Sequence, residues 1–381
     1  MTLSLPLCEK VARQLAQVRA FFAANYPEVR LYAVGGAVRD ALTGREVSDL
    51  DIECFGLSPE AFDEAMGRLG ALGVGRSFFV YKYGAIDIAL PRIERKVAEG
   101  HRGFAVALAR DTREASRRRD FTMNALMLDL QSGEVIDHWG GVADIRRRLI
   151  RVVDPARFVE DSLRVLRAMQ FSARLGFRIE PESRDLMARM ALDDLSGERI
   201  FWEFEKLFWA ERPHFGLRAM IELGIDRKIF GFAIEKGRFW PLTLSLVRGV
   251  RHFRESSLRP YLFLYLLSTR LHRNAQTLCE AIHAPGRYRK ILATQKAIPR
   301  RITDRFLGAL ALDRPIGEWL GAFTKGVASR AGELGIYDKV FDPGIRAGDL
   351  LAEGLRGKAL GEALRRRRLD AVRQSFGRRG L

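Results

Sequence analysis

From Asp49 to Phe55 the sequence reads DLDIECF, and its alternation is strict: Leu50, Ile52 and Cys54 fall on one side of an extended chain, Asp49, Asp51 and Glu53 on the other. Successive side chains of a strand point to opposite faces, so this stretch is predicted to be a half-buried strand with an acidic face. Residues two apart point the same way, roughly 6–7 Å apart at their Cα atoms, which sets the Asp49 and Asp51 carboxylates side by side. Such a pair is costly unless a cation neutralises it, and hard oxygen donors suit magnesium.

The residues just before this strand supply a partner for that cation. RLYAV reads as a strand, Gly35 and Gly36 follow it, and AVRDAL continues as a helix that Gly44 stops. Without side chains at the turn, backbone N–H groups can approach a triphosphate. Arg39, one turn into the helix, can hold the same phosphates by a charge-assisted fork. Further on, SFFVYKYGAIDIALP reads as one or two strands with Ile86, Ile88 and Leu90 inward and Asp87 outward, which makes a third carboxylate available. A lone Gly-Gly is usually a turn, and a lone Asp-x-Asp is often a strand's wet face. Their order here, strand, Gly-Gly, helix, strand, Asp-x-Asp, points to a nucleoside triphosphate with its magnesium ions.

The rest of the chain divides by pattern. Val11 to Ala24 reads as an amphipathic helix, and Ser132-Gly133 joins two alternating apolar runs as a hairpin would. Pro91 to Ser116 has weak periodicity and many charges, and is expected to be a mobile basic loop. From Pro155 onward the spacing is helical, as in ERIFWEFEKLFW, where Ile200, Phe204, Leu207 and Phe208 share a face. No strand signal of comparable strength follows Val153. The fold class is therefore α+β, a mixed head over residues 1–150 followed by an all-helical remainder.

Charge narrows the partner. Lys and Arg number 64 against 47 Asp and Glu, a net +17, which favours a partner of dense negative charge. The 3 cysteines are too few and too scattered for a disulfide framework or a zinc site, and fit a reducing compartment. The N-terminus has no basic lead and no long apolar run. The longest apolar run, Tyr261 to Leu267, falls far short of the roughly 20 residues that cross a bilayer. A cytoplasmic protein with no membrane partner is expected.

Three motifs together, VGGAVRDALTGREVSDLDIECFG, RRRDFTMNAL and EDSLRVLRAMQFSARLGF, resemble those of the class II tRNA nucleotidyltransferases, the CCA-adding enzymes, and of the related bacterial poly(A) polymerases. The likeness runs from about Leu31 to Pro213. It implies a polymerase-β-like nucleotidyltransferase head with a mixed sheet over residues 1–150, a helical neck over 151–213 that reads the base, and a helical body and tail over 214–381 that holds tRNA. By the resemblance Gly36 and Arg39, beside Gly35, hold the triphosphate, and Asp49 and Asp51 bind metal. Asp87 falls near a family acid. Arg119 contacts the nucleotide, and Asp120, next to it, can accept from a ribose 2′-OH. Asp161 and Arg164 read the incoming base, and Arg167 is a further nucleotide contact. The next arginine of that series is replaced here by Gln170.

The chemistry of the Asp161 and Arg164 pair is consistent with this. Cytosine and adenine each present an exocyclic amine beside an unprotonated ring nitrogen, so a carboxylate accepts from one and a guanidinium donates to the other. Uracil and guanine present a carbonyl and a protonated nitrogen there, which leaves buried polar groups unpaired. The activity implied is addition of CCA to the tRNA 3′ end from CTP and ATP, with two magnesium ions and release of pyrophosphate. The basic helical half would grip the tRNA acceptor stem by its phosphates. No stable protein partner is implied.

Other readings remain at this level. Enzymes adding only A, only CC, or a poly(A) tail share the motifs. The long segment holding Arg92, Glu94 and Arg95 argues against CC addition alone, and the short basic C-terminus against poly(A) tailing. None of the 6 histidines precedes an aspartate, so no phosphohydrolase activity is expected. A catalytically dead RNA-binding scaffold has no use for a repulsive acid pair beside a phosphate-binding turn, and a small-molecule nucleotidyltransferase has none for a basic helical half.

Overall fold

The computed structural model of the chain describes residues 1–75, 79–96 and 104–377. Packing divides the chain into two compact units, Met1–Leu195 with Glu222–Gly224, and Ser196–Ile221 with Ile225–Leu381. The first unit therefore takes in residues 151–195 together with residues 1–150.

The first unit opens with α1 (Glu9–Asn25), β1 (Arg30–Val34), α2 (Gly36–Leu42), β2 (Leu50–Phe55), α3 (Pro59–Leu69), β3 (Leu72–Gly75), β4 (Val80–Tyr83) and β5 (Ile86–Ala89). It continues through β6 (Arg92–Lys96), β7 (Phe104–Leu108), α4 (Thr112–Arg117), β8 (Met127–Asp129), β9 (Val135–Ile136), α5 (Gly141–Arg147) and β10 (Leu149–Ile150). Then come α6 (Pro155–Phe158), α7 (Leu163–Leu175), β11 (Arg178–Ile179) and α8 (Pro181–Arg189). The main sheet has the order β3-β4-β5-β2-β1-β8-β9. It is mixed, because β2 and β5 run parallel while β1 pairs antiparallel with both β2 and β8.

The alternation read in the sequence sets the faces of the central strands. Leu50, Ile52 and Cys54 are buried in β2, as are Ile86, Ile88 and Leu90 in and just beyond β5. Asp49 lies immediately before β2 rather than within it. Glu53 departs from the wet acidic face: it is 2% exposed.

Two expectations are corrected. Pro91 to Ser116 is not a loop: its described residues form the antiparallel pair β6 and β7, with Arg92 opposite Leu108, followed by α4. Arg92–Lys96 carries four charged residues and one apolar residue, Ile93, so it shows no alternating strand pattern. Residues 97–103 of that segment lie outside the described residues. A strand also follows Val153, since the two-residue β11 pairs parallel with β10, too short to leave a periodic signal.

Phe121 packs against the first two helices that follow residue 150, α6 and α7. Its ring, fully buried, packs against Phe158 at 5.6 Å and edge-on against Phe171 of α7 at 6.0 Å. The neighbouring turn Thr122–Asn124 is pressed against α5, where a Cβ on Gly141 would lie 2.3 Å from the Thr122 carbonyl oxygen. Gly141→Ala is thus expected to cost about 1–3 kcal/mol by overpacking against main chain. A lowered urea midpoint would register it.

The second unit is helical among its described residues, from α9 (Gly197–Phe208) to the helix Gly357–Ser375. Ile200, Phe204, Leu207 and Phe208 are all buried on α9, as their spacing predicted. Among the described residues no helix is long and apolar enough to cross a membrane.

Candidate active site

A cleft of about 640 Å³ in the first unit is lined by Gly35, Gly36, Arg39, Asp49, Asp51, Arg118, Arg119, Asp120, Asn124, Asp161, Arg164, Arg167, Phe171 and Arg174 among others. Every residue expected at the site except Asp87 lines it. Gly35 takes φ +69° and ψ −124°, a conformation that only glycine adopts without strain. A Cβ there would stand 3.4 Å from Arg119 Nη1 and 4.0 Å from Asp51 Oδ2, within the cradle itself. The turn thus brings main chain up to the carboxylate and the arginine together.

The acids are neighbours along the sheet. Asp51 of β2 is in register with Asp87 of the parallel β5. Burial pushes the Asp51 carboxyl up; Arg119 opposes this, while Asp87, Asp49 and Glu53 add to it. A carboxylate in that position favours a nearby cation, and the donors on offer are all hard oxygens. Asp87 itself accepts a hydrogen bond from Lys82 Nζ at 2.8 Å, which holds the lysine's pKa above its ordinary value. Among the described residues no three His, Cys, Asp or Glu side chains are gathered closely enough to hold a metal. Asp49 and Asp51 both line the cleft, whereas Asp87 does not and is engaged by the lysine.

Arg39 is 4% exposed and its fork is already engaged. It donates to both Asp40 oxygens at 2.9 and 3.0 Å and to Asn124 Oδ1 at 2.5 Å. Arg118 and Arg119 both donate to Glu53 Oε1, at 3.0 and 2.7 Å. Asp120 is more deeply committed than expected. Its carboxylate accepts from Arg167 Nε at 2.6 Å, Asn124 Nδ2 at 2.9 Å and the Phe121 N–H at 2.8 Å. A ribose hydroxyl would have to compete with these partners.

Burial alone would raise the Asp120 pKa, but Arg167 and the hydrogen bonds from Asn124 and Phe121 outweigh it and hold the carboxyl below its ordinary value. Asp120→Ala is therefore expected to cost about 2–3 kcal/mol at neutral pH. A depressed carboxyl pKa stabilises the fold above the ordinary aspartate range, and that contribution is lost as pH falls through the folded value. Urea midpoints of wild type and variant should differ at neutral pH and converge in acid.

Helix α7 presents Arg164, Arg167, Phe171 and Arg174 to the cleft at spacings of three, four and three, which is one helical face. Asp161, two residues before the helix, accepts from the Leu163 N–H at 3.2 Å. Arg164 donates to the carbonyls of Arg157 at 2.7 Å and Arg118 at 3.1 Å. Three guanidiniums surround the Phe171 ring, those of Arg39 and Arg167 at 5.2 Å and of Arg174 at 5.9 Å. Gln170, which replaces an expected arginine, is 1% exposed and does not line the cleft, whereas Arg174 does.

Two cleft residues, Arg174 and Phe171, and Glu53 behind the cleft arginines lie outside the site expected from the sequence. Arg174 lies seven residues after Arg167 on the same face, so helical spacing could have found it. Phe171 was indistinguishable from a core aromatic. Glu53 has no local sign of its role, because its partners lie 65 and 66 residues away.

Residues 31–151 match the poly(A) polymerase head domain, and residues 176–233 match a probable RNA- and SrmB-binding site of polymerase A. The multifunctional CCA protein of Xanthomonas campestris pv. campestris (strain B100) is 33% identical over 414 residues, covering 91% of this chain and 99% of the relative. A Bacillus stearothermophilus CCA-adding enzyme solved in complex with CTP superposes with a TM-score of 0.63 at 25% identity, over 96% of this chain and 94% of that one. A tRNA nucleotidyltransferase complexed with a primer tRNA and an incoming ATP analogue gives a TM-score of 0.56 at 27% identity, over 72% and 82% of the two chains.

Proposed function

This chain belongs to the family of the multifunctional CCA proteins, and we propose that it is a template-independent tRNA nucleotidyltransferase that completes the CCA end from CTP and ATP. One observation carries the reading: a single cleft brings together the Gly35 turn, the Asp49 and Asp51 carboxylates, the Arg118–Asp120 run and the Asp161/Arg164 pair.

The residues divide the work. The Gly35-Gly36 turn and Arg119 receive the triphosphate, with Arg39 bracing Asn124 and Asp40 behind them. Arg167, held by Asp120, and Arg174 add positive charge along α7. Asp161 accepts from the base's exocyclic amine and Arg164 donates to its ring nitrogen, so C and A pair and U and G do not. Asp49 and Asp51 would hold two magnesium ions, which supply activation of the RNA 3′-OH and charge neutralisation at the departing pyrophosphate. The transfer needs no protein nucleophile: the 3′ oxygen forms a bond to the α-phosphorus as the bond to pyrophosphate breaks.

The same reading gives residues 1–150 to catalysis, 151–213 to base selection and 214–381 to the tRNA, held through its acceptor stem phosphates in the cytoplasm. What supports the tRNA assignment is the net charge of +17 together with the relative crystallised on a primer tRNA.

The test offers transcripts ending at the discriminator base, at C or at CC, with magnesium and with CTP and ATP singly and together. Extension of all three to a CCA end that then stops is expected. A single A added only to the CC-ended transcript would make the enzyme A-adding, CC added without A would make it CC-adding, and a long A tail would make it a poly(A) polymerase. No product in any reaction would defeat the enzyme reading.

A further inference from the structure

Glu53 is an unexpected neighbour for a cleft that receives a triphosphate: it does not line the cleft but holds two arginines that do. It is a further acid on the strand that already carries Asp51, and like charges gathered at a phosphate site oppose binding. Yet it is 2% exposed, and its Oε1 accepts from both Arg118 Nη2 and Arg119 Nη2. Those arginines close the turn after α4, and their side chains are 19% and 22% exposed, so each keeps a surface toward the cleft. The held Arg119 lies with Nη1 3.4 Å from where a Gly35 Cβ would stand, against the phosphate turn. The carbonyl of Arg118 accepts in turn from Arg164 Nη2 at 3.1 Å. A buried carboxylate thus joins the strand of acids to the arginines of the cleft, and through their main chain to Arg164.

We propose that Glu53 is a positioning residue of the transfer site: its carboxylate, shared by Arg118 and Arg119, fixes the Arg119 guanidinium against the Gly35 turn so that it meets the triphosphate already oriented. The proposal rests on the function proposed above. A long side chain held in one geometry loses less freedom on binding, and a charge-assisted bond supplies that hold.

Two variants separate position from charge. Glu53→Gln removes a negative charge from behind the cleft arginines, so if Glu53 acted only through its charge, CTP and ATP would bind more tightly. Glu53→Asp keeps the charge but withdraws the carboxylate by one methylene, so a charge role would leave binding unchanged. With a positioning role, both variants weaken CTP and ATP binding about tenfold. KM is expected to rise more than kcat falls, because an oriented phosphate contact is made in the ground state as well as in the transition state.

The measurement is the Kd of CTP and of ATP, with magnesium, for wild type, E53Q, E53D, R119K and R119K combined with E53Q or E53D, alongside thermal melting and the KM and kcat of tRNA extension. In the R119K background the substitutions at Glu53 are expected to change Kd less than twofold, because the residue they act through is already altered. Full, multiplicative effects in that background, tighter binding by E53Q, or wild-type Kd in both single variants would each overturn the proposal. If E53Q does not fold, E53D with and without R119K decides by the same criteria. A wild-type protein that binds neither nucleotide would overturn the functional reading and this proposal together. A wild type that binds and extends while E53Q and E53D match it would overturn the proposal alone.

Discussion

Asp51→Asn is expected to lower the rate of nucleotide addition at least about 10³-fold, the loss of several kcal/mol of charge stabilisation where the transferring phosphate must sit. The fold should survive the change. Asp51 is desolvated at the mouth of the Gly35 turn, where Asp87, Asp49 and Glu53 add repulsion that Arg119 only opposes, so its carboxyl is pushed up. A raised carboxyl pKa makes the ionised form a burden on the folded state once pH exceeds it. Asparagine removes that burden, and the melting temperature without magnesium should be unchanged or higher at neutral pH. The difference should narrow as pH falls through the raised pKa, because the wild-type group then takes up its proton. Rate and melting measured on the same preparations check both halves. An Asp51→Asn protein of near wild-type activity would remove the carboxylate pair from the mechanism.

The second large effect is on base choice. Arg164 is fixed by the carbonyls of Arg157 and Arg118 and lies over the Phe158 ring at 5.8 Å. A guanidinium so held presents its donors in one direction, as a fixed reader of a base edge must. Arg164→Ala is expected to lower kcat/KM for CTP and ATP about 10²–10³-fold while changing UTP and GTP much less, since the wrong bases never made the contact. Selectivity for C and A over U and G should then fall to within about tenfold. Single-nucleotide incorporation with each of the four triphosphates measures this. Unchanged selectivity in a slower enzyme would show that Arg164 supports the fold or the phosphates rather than the base.

The site was legible in the sequence where local pattern carries geometry. Period-two alternation placed Leu50, Ile52 and Cys54 inward and Asp51 toward the cleft, and the Gly35-Gly36 turn fell between β1 and α2 where the pattern put it. The motif residues from Arg119 to Arg167 proved to line one cavity. What failed to show was pairing over distance. Glu53 looked like a solvated strand residue because nothing in its neighbourhood announces two arginines arriving from after α4. The commitments of Arg39 to Asn124 and of Asp120 to Arg167 are of the same kind, 85 and 47 residues apart. Charge hid structure too: β6 is charged at every position but Ile93, and reads as loop until Phe104–Leu108 is placed beside it. The packing of α6 and α7 with the first unit was equally hidden, because it runs through the ring of Phe121 against Phe158 and Phe171.

In the proposed function, protein side chains take the place of a template. The most direct measurement is therefore equilibrium binding of CTP, ATP, UTP and GTP to the wild-type protein and to Arg164→Ala, with magnesium and with no RNA present. CTP and ATP are expected to bind the wild type at least about tenfold more tightly than UTP and GTP, and to lose that advantage in the variant. Equal binding of all four by the wild type would contradict it, because the choice of base would then have to come from the RNA.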